Sequence, residues 1–236
     1  MLKSANLWKY LRSPWFYLSG LAGLALAYPL SSAVMSKMQR VQPKTILTII
    51  ANIGRAVSRF ELVEIGHEMT NRKILFESAY TNKDFKTFNS LLQRFLKDSK
   101  EKQPKFPRVA VIAVPAPVIN NKVMSIPELD WGEINGNDLV KEFNFHSSIL
   151  LNDFEAIAYS VLKLENDDFL QINEGVKGYE TEKFAVLAPG LGLGYCSIVP
   201  APYQKGYRHY VWAGEGGHVA FSPISNLQCD YMFWAM

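Results

Sequence analysis

Apolar positions along this 236-residue chain change their period several times, and each change predicts an element. Residues 14–36 come first: 23 positions without a charge, from Pro14-Trp15-Phe16-Tyr17 to Met35-Ser36. A helix needs about 20 mostly apolar residues to cross a hydrocarbon core, so this run predicts a membrane span. Trp8, Tyr10, Trp15, Phe16 and Tyr17 gather at one end and Tyr28 lies near the other, where interfacial aromatics sit. A cleaved leader would also carry a basic start and the small residues Ser31-Ser32-Ala33; the length favours a span.

Beyond the span the pattern becomes that of a folded domain. Thr45–Ala51 is a β-branched run and predicts a strand buried on both faces. Ser58–Glu64 and Lys73–Tyr80 predict two more. Over Asp84–Lys97 the apolar residues Phe85, Phe88, Leu92, Phe95 and Leu96 recur at helical spacing, with charges opposite. Asp98–Pro107 is charged and punctuated by Pro, a predicted loop. Val109–Val114 is an apolar strand that stops before Pro115. Gly136–Phe143 predicts a short helix, Ser148–Leu151 a strand and Asp153–Leu164 a helix. Lys183–Leu187, Tyr195–Val199 and Tyr207–Trp212 complete the strands. Three strands before the first helix, then alternation, give an α/β class with a mixed sheet. The expected organisation is a basic segment 1–13, a span 14–36, a linker 37–44 and a domain 45–236.

Charge is distributed unevenly. No Asp or Glu precedes Glu61, whereas Lys3, Lys9, Arg12, Lys37, Arg40, Lys44, Arg55 and Arg59 do. An acid-free, basic start is the mark of mitochondrial import, though bacterial and secretory anchors also tolerate basic flanks. Three basic residues lie on each side of the span, so they set no orientation. The rest of the chain holds 17 basic and 22 acidic residues, a net of −5, which argues against nucleic acid as a partner. Cys196 and Cys229 are too few for a disulfide framework and lack metal-like spacing. No metal site and no cofactor are expected.

Three motifs carry candidate chemistry. Asn152-Asp153-Phe154 falls at a strand-to-helix junction, where open α/β sheets place ligand-facing groups; an Asp there also serves as an N-cap or first-turn acid. Ala188-Pro189-Gly190-Leu191-Gly192-Leu193-Gly194 is a glycine-rich turn, able to expose backbone N–H groups to phosphate or simply to close a hairpin. In Glu215-Gly216-Gly217-His218 a carboxylate and an imidazole are set to meet sugar hydroxyls.

In this order and spacing the three motifs resemble the bacterial glucokinase family, of the actin–hexokinase superfamily, from about Thr45 to Ser222. The resemblance implies a glucokinase N-terminal-lobe-like mixed sheet with flanking helices, ribonuclease H-like. It implies that Asp153 is the base for the sugar 6-hydroxyl and that Asn152, Glu215 and His218 are sugar-hydroxyl ligands. Gly190, Gly192 and Gly194 match the family's second phosphate-binding turn, and Trp131 falls where the family tends to carry Trp.

The departures lead the expectation elsewhere. The family's first phosphate turn, Asp-x-Gly-Gly-Thr-Asn, reads here Asn52-Ile53-Gly54-Arg55-Ala56-Val57. Only Asn52 and Gly54 keep vestiges of its phosphate-binding role. The metal-orienting carboxylate has become an amide, a phosphate-bonding hydroxyl a methyl and a glycine an arginine. Leu191 replaces a polar Thr in the second turn. Hydrogen bonds to charged groups contribute roughly 1.5–3 kcal/mol each, so losing several slows transfer by decades. The family's remaining sugar-contacting Glu and its adenosine pocket would lie beyond Met236. The expectation is therefore a truncated, degenerate pseudoenzyme with vestigial sites, in which binding of sugar or ATP is doubtful. It would serve as an accessory subunit of a mitochondrial inner-membrane complex of the respiratory chain. Its partners would be the bilayer and other subunits, with the aromatic tail Tyr231–Met236 buried against them. The alternatives are a membrane-tethered glucokinase and a sugar-sensing module.

Overall fold

The computed structural model describes residues 45–66, 72–164, 166–173, 182–189, 192–203 and 206–235. The expected basic segment 1–13, span 14–36 and linker 37–44 lie outside the described residues. Among the described residues no helix is long and apolar enough to cross a membrane. The chain divides into two compact units, one ending at Val176 and the other running Lys177–Met236.

The first unit is built on a five-stranded sheet in the order β3-β2-β1-β4-β7. Strands β1 (Thr45–Ile53), β2 (Val57–Gly66) and β3 (Arg72–Thr81) form an antiparallel meander. Strands β4 (Val109–Val114) and β7 (Ser147–Asn152) then add in parallel beyond β1. A parallel addition needs a crossover, and helix α1 (Phe88–Lys102) supplies it between β3 and β4. Phe88, Leu91, Leu92 and Phe95 of α1 are fully buried against one sheet face, each contributing about 1.5–3 kcal/mol. Phe95 stacks on Phe60 of β2 with centroids 5.0 Å apart. The other face buries Ile50, Val63, Val111 and Leu151 with Ala156 of helix α3 (Asp153–Val161). β4 is therefore buried at all six positions, as its unbroken apolar run predicts.

α1 departs from its expected bounds at both ends. It begins at Phe88 because Thr87 and Ser90 form a reciprocal capping box, while Asn82–Asp84 makes a separate turn of 3-10 helix. It runs on to Lys102 through part of the expected loop. Lys100 and Lys102 lie in its last turn, where cations suit the helix dipole.

Two small strands escaped the sequence pattern: β5 (Lys122–Val123) and β6 (Ile134–Asn135), which precede helix α2 (Gly136–Glu142). At the Ile119–Lys122 turn, Asn120 and Asn121 both take positive φ, 53° and 61°, as a tight hairpin turn requires. The Asn121 side chain then acts as a missing strand for β7. Its Nδ2 donates to the Ser148 carbonyl and its Oδ1 accepts from the Leu150 N–H, both at 2.8 Å.

The second unit is a three-stranded antiparallel sheet, β8 (Phe184–Pro189), β9 (Leu193–Tyr203) and β10 (Gly206–Gly214), in the order β10-β9-β8. Cys196, Ile198 and Val211 are its buried positions. Neither Cys196 nor Cys229 is in a disulfide among the described residues. Helix α4 (Asn226–Ala235) follows, with Tyr231, Phe233 and Trp234 exposed. Met236 lies outside the described residues.

Candidate functional site

Strands β1, β4 and β7 run parallel, so their carboxyl ends open at one edge of the sheet. Register pairs Asn52 with Ala113 and Val114 with Asn152. The first phosphate-turn candidate and Asn152-Asp153 therefore stand two strand spacings apart, about 10 Å at the ~4.8 Å separation of neighbouring strands. Open α/β sheets bind ligands at such an edge.

The turn after β1 is held from behind by a residue the sequence reading missed. Asn82, only 1% exposed, donates from Nδ2 to the carbonyls of Gly54 at 2.7 Å and Arg55 at 3.2 Å. Its own N–H donates to the Ala56 carbonyl at 2.9 Å, and its Oδ1 accepts from the buried Ser58 hydroxyl at 2.7 Å. Three successive carbonyls thus turn toward one residue, two to its side chain and the third to its backbone N–H. Because a trans peptide sets N–H opposite C=O, the following N–H groups, of Arg55, Ala56 and Val57, point away from Asn82. Successive amides presented in this way make an anion-binding concavity. Gly54 is required for the shape, since a Cβ there would sit 2.6 Å from the Val57 carbonyl oxygen. Arg55, where the resemblance expects glycine, reaches sideways to Glu128, with Nη1 and Oε1 3.0 Å apart.

At the junction of β7 and α3 the capping role belongs to Asn152, not to Asp153. The Asn152 Oδ1 accepts from the N–H groups of Phe154 at 2.9 Å and Glu155 at 3.2 Å, and its Nδ2 donates to the Ala116 carbonyl at 3.3 Å. Most of its hydrogen-bonding capacity serves the helix start. Asp153 occupies the first helical position, half-buried, where the N-terminal dipole favours a carboxylate. One turn on, burial pushes the Glu155 carboxyl up from its ordinary range, opposed by a backbone hydrogen bond at Asn152.

In the second unit, Gly192 lies in the turn between β8 and β9 and Gly194 pairs with Ala188 across those strands. Gly190 and Leu191 lie outside the described residues. Glu215 precedes and His218 ends the short 3-10 helix Gly216–His218, with Glu215 Oε2 and His218 Nε2 3.5 Å apart and both side chains exposed. Gly217 has no room for a side chain, because a Cβ would run into the Leu193 carbonyl. The glycine pair thus brings the carboxylate and the imidazole together by packing on β9. Among the described residues no group of three His, Cys, Asp or Glu side chains could hold a metal ion.

A glucokinase family model matches residues 49–236. The chain belongs to the glucokinase family. It is 29% identical over 186 residues to the glucokinase of Caulobacter vibrioides, spanning 79% of this chain and 53% of that protein. Among solved structures it matches the glucokinase of an Antarctic psychrotroph, with a TM-score of 0.62 and 24% identity over 81% of this chain and 56% of that one. It also matches the glucokinase of Balamuthia mandrillaris in complex with glucose, with a TM-score of 0.58 and 16% identity over 92% of this chain and 57% of that one. These likenesses agree with the mixed α/β sheet. The chain spans about half the length of the curated relatives it matches.

Membership overturns part of the sequence-based expectation. The matched family and its curated relatives are glucokinases, so the pseudoenzyme reading falls, and with it the accessory subunit of a respiratory complex. The placement in the mitochondrial inner membrane falls on the same finding, since the relative is a bacterial glucokinase. The physical reason lies in the first turn. Its substitutions were weighed as lost contacts, whereas its backbone, which presents the N–H groups, is held by Asn82 and Gly54.

Proposed function

We propose that this chain supplies the hexose-activating part of a sugar kinase that transfers the terminal phosphoryl group of ATP to a hexose hydroxyl. The observation that carries the reading is the shared sheet edge. The amide-presenting turn Gly54–Val57 ends β1, and Asp153 follows β7 two strands away. That separation leaves room for a sugar hydroxyl at Asp153 and a phosphoryl group at the turn.

In this reading the Asp153 carboxylate accepts the hydroxyl proton as the hydroxyl oxygen bonds to phosphorus. The bond from phosphorus to the bridging oxygen breaks, and ADP leaves with the electron pair. Phosphoryl transfer depends mainly on position and on neutralising charge. Asn152, held by its caps to Phe154 and Glu155, fixes Asp153 at the helix start. In the second unit, taken by itself, the Glu215–His218 pair suits hydroxyl groups and the turn carrying Gly192 and Gly194 suits a phosphate contact. Glucose is the hexose of choice, on the strength of the glucose complex of the Balamuthia mandrillaris enzyme. Asn52 would hold the water shell of a nucleotide-bound divalent cation, more weakly than a carboxylate would, and that cation would help to neutralise phosphate charge.

The test is ATP-dependent glucose phosphorylation by the full-length protein, followed in a coupled assay. Asp153→Asn should lower kcat by roughly 10²–10⁴, the usual contribution of a positioned base. Asn52→Asp should raise kcat/KM for the magnesium nucleotide. Turnover unchanged by Asp153→Asn would overturn the proposal.

A further inference from the structure

Beside the first turn lies a cleft of about 650 Å³ that shares Arg55 and Ala56 with that turn and otherwise has residues to which the catalytic reading gives no role. Arg55 and Ala56 border it on one side, and the residues from Thr81 to Lys86 on another. The remaining wall is the Glu128–Trp131 segment. Three cations, Arg55, Lys83 and Lys86, enter it from two separate segments, against two carboxylates, Glu128 and Asp130. Its apolar part is Phe85, Leu129 and the mostly buried Trp131, whose indole N–H is already committed to the Phe85 carbonyl at 2.9 Å.

Glu128 stands in an unusual place. It occupies the third position of the tight turn Ile126-Pro127-Glu128-Leu129, closed by the Leu129 N–H on the Ile126 carbonyl at 3.1 Å, with φ +71°. That position favours glycine. A carboxylate there is strained, and its exposed ion pair with Arg55 is too weakly stabilising to repay the strain. Such an outlier points to function at the place where it is found.

We propose that this cleft binds a phosphosugar: a hexose phosphate whose phosphate meets Lys83 and Lys86 and draws Arg55 away from Glu128. The freed Glu128 and Asp130 then accept sugar hydroxyls, and the carbon skeleton lies on Phe85 and Trp131. A free phosphate ion would use the cations but neither the carboxylates nor the aromatic floor. An uncharged hexose would leave three cations unanswered. The mixed lining therefore selects a ligand carrying both parts. The assignment does not depend on catalysis by Asp153.

Isothermal titration of the full-length protein with glucose 6-phosphate tests it, with excess glucose present to fill the proposed hexose site. Binding should weaken at least about tenfold in the Lys83→Ala/Lys86→Ala double variant, the usual scale for lost charge-assisted contacts. Asp153→Ala should leave it unchanged. Both lysines are exposed, and circular dichroism confirms folding of the double variant. Absence of binding, equal affinity in the double variant, or equal affinity for inorganic phosphate would overturn the proposal. Loss of binding in Asp153→Ala would place the ligand at the sheet edge instead and overturn it too.

Discussion

Asn82→Ala is the most exacting test of how the first turn is held. The substitution removes three side-chain hydrogen bonds, to Ser58, Gly54 and Arg55, each with a net contribution of about 1 kcal/mol. It also leaves the fully buried Ser58 hydroxyl without its acceptor, an unpaired polar group that costs about 1–3 kcal/mol. The bond from the residue 82 N–H to the Ala56 carbonyl survives, because it belongs to the backbone. Counting the Ser58 bond once, through its orphaned hydroxyl, the expected loss is about 3–5 kcal/mol, large beside the 5–15 kcal/mol of a typical domain. Urea unfolding measures it as a lower midpoint at unchanged slope. Ser58→Ala provides the internal control: in the double variant neither buried partner is orphaned, so the two losses should be less than additive. A loss below about 1 kcal/mol in Asn82→Ala, or strict additivity with Ser58→Ala, would refute the claim that Asn82 holds the turn.

Other expectations follow from separate features. Gly54→Ala places a methyl 2.6 Å from the Val57 carbonyl oxygen and should cost about 1–3 kcal/mol, with a higher KM for ATP because the turn must open. Asn121→Ala removes both bonds to the β7 edge and puts alanine at φ 61°; a loss of about 2–4 kcal/mol, with faster amide exchange at Leu150, checks it. Burial raises the Glu155 carboxyl above its ordinary range. The folded chain therefore holds more protons than the unfolded one in that window, and this group's contribution falls as pH rises through it. Glu155→Gln should gain stability relative to wild type from pH 4.5 upward, and denaturation midpoints at a series of pH values measure the difference.

Legibility in the sequence followed the range of the interaction. The unbroken run Val109–Val114 marked a central parallel strand with its bounds correct, because burial on both faces leaves a local signature. The apolar spacing of Phe88, Leu92 and Phe95 marked the face of α1, but its end was misjudged, since a charged solvent face at Lys100–Lys102 reads like a loop. Strands β5 and β6 are two residues long and leave no period to detect. At the site, Asn152-Asp153 and Glu215…His218 were visible as motifs, whereas Asn82 and Asn121 were not. Each is a single amide whose partners lie 24–29 residues away. Only the fold supplies that proximity. For Asp153 the sequence left an N-cap and a first-turn acid both open, because capping depends on which residue leaves helical geometry, here Asn152 at φ −62° and ψ 142°.

The first turn separates shape from charge. Its shape depends on groups behind it: the Asn82 amide, the Ser58 hydroxyl and the missing Cβ of Gly54. Its charge depends on residues that do not hold the shape, namely Asn52 at the strand end, Arg55 paired to Glu128 and Ala56 with no polar group. Substitution in the second set changes what the turn attracts without disturbing where its N–H groups point. The amides remain a source of positive potential, to which Arg55 adds a full charge on one side. A sequence comparison that counts only side chains therefore overstates the loss, because the backbone is the larger part of the anion site. A double substitution tests this separation of shape from charge. With Asn52→Asp and Arg55→Gly together, the urea midpoint should stay within about 0.5 kcal/mol of wild type, the usual range for changes outside the load-carrying contacts. ATP affinity should change all the same. A large loss of stability in that variant would mean that charge and shape are coupled here after all.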